Sequence, residues 1–130
     1  MAQPVTMNER LSDAINRHDL EAFADCFASD YQSEQPAHPR RAFKGRDTVR
    51  HHWSNFFRQV PDFQAELVRT CEDGKTEWAE WRWHGTQVNG EAFDVRGVVI
   101  IGVRRGCIVW GRLYMEPVEK VSTVHELGRT

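Results

Sequence analysis

The chain has 130 residues, 40% of them apolar and 11% aromatic, which suits one domain with one sizeable core. Its 17 Lys and Arg against 19 Asp and Glu give a net charge of −2, so no basic field draws it to nucleic acid or to an anionic membrane. No apolar run reaches the roughly 18 residues a membrane span needs, and Met1 to Arg10 is polar where a signal peptide would be apolar. These features predict a soluble, cytoplasmic protein with no nucleic-acid and no membrane partner.

Cys26, Cys71 and Cys107 are odd in number and lack paired spacing, which argues for reduced thiols rather than disulfides or a zinc site. Six histidines include no H-x-x-x-H pair, and adjacent His51 and His52 would diverge on a helix. We expect no metal and no cofactor.

Met7, Leu11, Ala14, Ile15 and His18 recur at spacings of three and four, which predicts a helix from about residue 4, with Pro4 at its start, to residue 17. Asp19 is placed to cap a second, short helix carrying Leu20, Phe23, Ala24 and Phe27. Tyr31 to Gln35 can form a brief strand, ended by Pro36 and Pro39 because proline lacks the ladder donor. Gly45 and Asp47 open a third helix whose buried face is Val49, His52, Trp53, Phe56 and Val60, closed by Pro61.

From Asp62 the apolar period changes to two, and Asp73-Gly74, Asn89-Gly90 and Arg105-Gly106 mark three hairpin turns. The prediction is a four-stranded antiparallel meander over roughly 62–71, 76–88, 91–104 and 107–117. The domain therefore covers 1–119, and 120–130 reads as a tail.

If each turn is a two-residue loop, opposed residues share a face. One face then holds Val68, Ala79, Trp81, Trp83, Val98, Ile100, Gly111, Leu113 and Met115, with Glu66, Asp94 and Arg96 as its polar members. That face suits a helix-covered core or pocket. The other holds Trp78, Glu80, Arg82, Trp110, Arg112 and Tyr114, a mixture suited to a homodimer interface, though also to exposed cross-strand ion pairs. A β-bulge would exchange the faces beyond it.

The order of these elements, with His18-Asp19-Leu20, the segment Tyr31 to Pro36, Gly45-Arg46-Asp47, Pro61-Asp62, and Gly106 to Val109 leading to Tyr114-Met115-Glu116-Pro117, resembles the nuclear transport factor 2-like superfamily and its SnoaL-like proteins. The resemblance spans Leu11 to Glu116. It implies an α+β, cystatin-like fold in which a curved antiparallel sheet wraps three N-terminal helices as a cone with a pocket. It also implies that Gly111, Leu113 and Met115 face that pocket. The superfamily includes ketosteroid isomerase, limonene epoxide hydrolase and polyketide cyclases, but their residues do not carry over. The isomerase's oxyanion tyrosine, general-base aspartate and neutral acid would fall near Leu11, Gln35 and Val98. The hydrolase's last-strand aspartate reads as Leu113, and a nearby tryptophan as Gly111.

Remaining candidates follow from chemistry. Arg96 and Asp94 could hold an oxyanion, or form a structural ion pair. Glu66 beside Trp81 would have a raised pKa and could move a proton, unless Phe63, Ala65 and Leu67 take the core face in its place. Trp53, Trp81 and Trp83 could wall a pocket or simply fill a core. Gln35 and His52 complete the expected lining, and His38 reads as solvated. Two functions stay open: metal-free lyase, isomerase or hydrolase chemistry on an apolar, oxygenated molecule through Glu66, Asp94 and Arg96, or non-catalytic binding of such a ligand. A dimeric interaction module is the third.

Overall fold

The computed structural model describes residues 6–120. Helix α1 (Met7–Asn16) starts after Thr6, whose hydroxyl accepts the Glu9 N–H at 3.1 Å. The helix therefore starts three residues after the start predicted at Pro4, where a threonine supplies the side-chain acceptor; Pro4 itself lies outside the described residues. The helix ends when His18 turns left-handed (φ 54°). His18 N–H then donates to Ile15 O and Asp19 N–H to Ala14 O, each at 2.9 Å, a Schellman closure with histidine where glycine is usual. Asp19 goes on to cap α2 (Leu20–Ala24), accepting the Ala22 N–H at 3.0 Å.

Strand β1 (Phe27–Glu34) starts four residues earlier than predicted. After a short 3-10 turn over Pro39–Arg41 and the two-residue β2 (Phe43–Lys44), Gly45 caps α3 (Arg46–Gln59). Its φ of 101° suits glycine, and its N–H donates to Tyr31 O at 2.7 Å. Four long strands follow: β3 (Gln64–Asp73), β4 (Thr76–Thr86), β5 (Ala92–Arg104) and β6 (Cys107–Pro117). The predicted four-stranded meander is therefore part of a six-stranded sheet in the order β2-β1-β6-β5-β4-β3, with β1 parallel to β6. Parallel pairing escapes a local reading because the two strands lie far apart in sequence.

Register departs from the predicted one at four places: the hairpin after β3 turns at Gly74-Lys75, so that Asp73 pairs with Thr76 and no face changes, and three further departures decide what faces the interior. The loop between β4 and β5 is longer than two residues: Gln87 N–H donates to Glu91 O at 2.8 Å, Gly90 is left-handed (φ 88°), and Val88 N–H is drawn to Gln59 O at the end of α3. Trp81 consequently pairs with Gly97, not Val98. Between β5 and β6 the two-residue turn at Arg105-Gly106 forms, but Val109 bulges, so Val98 pairs with Tyr114 rather than Leu113. The two slips cancel across the pair: β4 and β6 keep their predicted faces and β5 alone is turned over. In β3 a bulge at Val68 sets Leu67, not Glu66, opposite Trp81.

The concave face thus carries Ala79, Trp81 and Trp83 of β4, Val95, Val99 and Ile101 of β5, and Gly111, Leu113 and Met115 of β6. The helices bury their stripes against it, with Leu11, Ile15 and Phe23 buried. Trp53 of α3 is the aromatic hub, its ring 4.5 Å from Phe23, 5.2 Å from Trp83 and 5.3 Å from Phe63. Of the predicted buried face of α3, Val49 is buried and Val60 just beyond the helix is also buried, while Trp53 and Phe56 are half-buried and His52 is exposed. Glycine permits the tight curvature at Gly97, where a Cβ would lie 1.9 Å from Tyr114 O.

Two polar clamps fasten α1 to the sheet. Buried Glu77 of β4 accepts Met7 N–H, Asn8 N–H and the Asn8 amide at 2.9–3.0 Å, matching a carboxylate to unpaired N–H groups at the positive end of a helix. At the other end the Asn16 amide both donates to Ala65 O (2.9 Å) and accepts Ala65 N–H (2.7 Å). With His18 bonded to Phe63 O at 2.7 Å, these bonds cover the start of edge strand β3, whose backbone would otherwise stand open. Among the described residues no helix is long and apolar enough to cross a membrane.

Candidate functional site

The helices do not fill the curve of the sheet. A cavity of about 270 Å³ remains between them, lined by Leu11, Ile15 and Phe23 of the helices and by Phe27, Trp81, Val99, Ile101 and Leu113 of the sheet. Phe43, Phe56, Phe93, Val95 and Pro117 carry the lining outward. The sequence prediction placed Gln35, His52, Trp53, Trp81, Trp83, Leu113 and Met115 here, and all seven stand in the lining. Val98 does not: the slip described above turns it to the convex face, and Val99 takes its place.

The polar residues expected in the pocket are also displaced. Glu66 pairs with Arg82 on the convex face, because the Val68 bulge gives the concave side to Ala65 and Leu67. Asp94 and Arg96 go outward with Val98, opposite His84 and Arg82. Asp94 lies 3.5 Å from Arg82 and 3.4 Å from Arg96; burial raises its pKa, but the two guanidiniums outweigh that and hold it below the usual carboxylate value. This is an ion-pair group on the sheet's outer surface. The convex face also carries Trp78, Glu80, Arg82, Trp110, Arg112 and Tyr114, of which Trp78 and Tyr114 are 44% and 39% exposed. Trp110 lies over Gly102, where a Cβ would sit 2.0 Å from the indole nitrogen.

Polar groups that the sequence reading passed over take the interior instead. Tyr31 and Ser33 alternate on β1 with Gln35 beyond it, all in the lining. The phenol of Tyr31 rests against Gly111, where a Cβ would lie 2.3 Å from its oxygen. The small residue noted at 111 thus makes room for a tyrosine from the neighbouring strand. Tyr31 is only 3% exposed, and burial pushes its pKa up to about 12, with Ser33 partly offsetting this. It is a neutral donor at any physiological pH. The indole N–H of Trp83 is buried without a protein acceptor, and an orphaned donor in a cavity wall suits an oxygen of a bound molecule or a water.

The outer end is polar. Arg41 donates to Gln35 Oε1 at 3.2 Å, which leaves the Gln35 NH₂ free to donate to a ligand. His52 lies edge-on to Phe43, ring centroids 4.8 Å apart; partial desolvation of the ring, then neighbouring His51, lowers its pKa and favours the neutral form. His38, expected to be solvated, bonds Glu116 at 2.7 Å and ties this loop to the end of β6. Among the described residues no carboxylate lines the cavity. The period-two alternation Tyr31, Ser33, Gln35 was the available signal for the interior polar row; nothing local marks Arg41, which reaches the rim through the turn after Pro39.

A family model for the SnoaL-like domain matches residues 8–110, and the chain belongs to that family. Among solved structures it is similar to a ketosteroid isomerase-like fold protein from Catenulispora acidiphila in complex with trimethylamine (14% identity, 94% of this chain and 91% of that one, TM-score 0.72). It is similar as well to a protein assigned as a SnoaL-like polyketide cyclase from Jannaschia (16%, 88% and 92%, TM-score 0.72). A third is a nuclear transport factor 2-like protein of unknown function from Exiguobacterium (19%, 88% and 100%, TM-score 0.70). At these identities the likeness concerns the fold, which hosts many chemistries. No curated protein matches the chain.

Proposed function

We propose that this protein binds one small apolar, oxygen-bearing molecule in the cone cavity. The observation that carries the reading is the make-up of that lining: aromatic walls, a few donors in Tyr31, Trp83, Gln35 and Arg41, and no acid. Few, fixed polar groups among apolar walls are what orient a ligand. A volume of about 270 Å³ sits at the lower edge of typical ligand sites, roughly 300–1,000 Å³, which fits one or two rings. His52 is the one candidate base among the described lining residues, and with no carboxylate there to orient it or share its proton, binding is favoured over lyase, isomerase or hydrolase chemistry.

The test uses the tryptophans in the wall. Titration with 2-naphthol should change tryptophan emission saturably, and Leu113→Trp, which puts bulk into the cavity, should abolish the saturable change. A linear response, or one the substitution leaves intact, would sink the reading.

The same reading includes self-association through the convex face. Exposed Trp78 and Tyr114 among charged residues have the mixed aromatic character of protein interfaces.

A further inference from the structure

We infer that the ligand is a carboxylate, an aromatic or similarly flat apolar acid whose anionic end is held at the cavity mouth by Arg41. The inference rests on the binding reading above and adds the charge and orientation of the bound molecule.

Among the described residues Arg41 is the one guanidinium in the lining. Its partner is neutral, the Gln35 side-chain oxygen at 3.2 Å. Among the described residues no carboxylate lies within ion-pair distance of it. No acid lines the cavity to balance the charge, and neutral His52 adds none. The site therefore presents one uncompensated positive charge at the mouth of an apolar hole.

The hydrogen bond has a second consequence. By accepting from Arg41, Gln35 spends its oxygen and turns its NH₂ into the free group. At Gln35 and Arg41 the rim then offers only donors, the remaining guanidinium N–H groups and the Gln35 amide. A carboxylate accepts from such a fork with both oxygens, while its apolar body lies against Trp53, Trp81 and Trp83. A ligand with a cationic or donor-only end would meet donors facing donors.

The test compares 2-naphthoate with 2-naphthamide, nearly the same shape with and without the charge, by quenching of tryptophan emission. Naphthoate is expected to bind about tenfold more tightly, the scale of a charge-assisted hydrogen bond. Arg41→Gln should remove that preference, weakening naphthoate about tenfold and naphthamide by much less, since the amide loses only a neutral acceptor's bond. Arg41 is exposed in a turn, and an unchanged unfolding curve for the variant checks that the fold is intact. Equal affinities, or a preference that survives Arg41→Gln, would overturn the carboxylate assignment while the cavity still binds. Failure of both probes would overturn the assignment together with the binding reading.

Discussion

Tyr31 shows how the cavity tunes one residue. A phenol ordinarily ionises near pH 10, and burial moves Tyr31 to about 12. Because the folded value lies above the unfolded one, its contribution to stability is complete below pH 10 and is lost as pH rises through 12. Two pKa units correspond to about 2–3 kcal/mol. Denaturant unfolding between pH 10 and pH 12 should thus show the native protein losing about that much more stability than Tyr31→Phe. Parallel pH profiles would mean that the phenol is not desolvated. The residue was legible only as part of a strand; its role depends on the glycine its phenol packs against, 80 positions later in the chain.

At the scale of elements, α1 is held more by its ends than its propensity requires. Glu77 closes three N–H donors at the N-terminus, and Asn16 and His18 pin the other end to β3. Glu77→Ala would orphan buried donors at both Met7 and Asn8, and we expect it to cost about 2–4 kcal/mol, measured by thermal or denaturant unfolding. A loss no larger than that of an exposed substitution such as Glu72→Ala would show the clamp to be incidental. The helices and long strands themselves were readable because apolar spacing changes from near 3.6 to 2 at Asp62. Glu77 was not, since an acid within an alternating strand looks like a solvent-facing position until a helix end is set over it.

For the whole molecule, the two sheet faces divide the work between cavity and outer surface. Sedimentation equilibrium should give a dimer mass at micromolar concentration, and the double variant Trp78→Glu with Tyr114→Glu should shift it to monomer with the fold retained. A monomeric native protein would remove the convex face from consideration as a self-interface.

The sequence by itself determined the α+β class and the order of the helices and long strands, because side-chain periodicity and turn residues are local properties. Only the tertiary structure decided which face β5 shows. A third loop residue, a bulge at Val109 and another at Val68 each shift register by one, and one residue is enough to send a side chain to the opposite face. That is why Glu66, Asp94, Arg96 and Val98 left the interior, while the donors Tyr31 and Arg41 enter it from β1 and from the turn after Pro39.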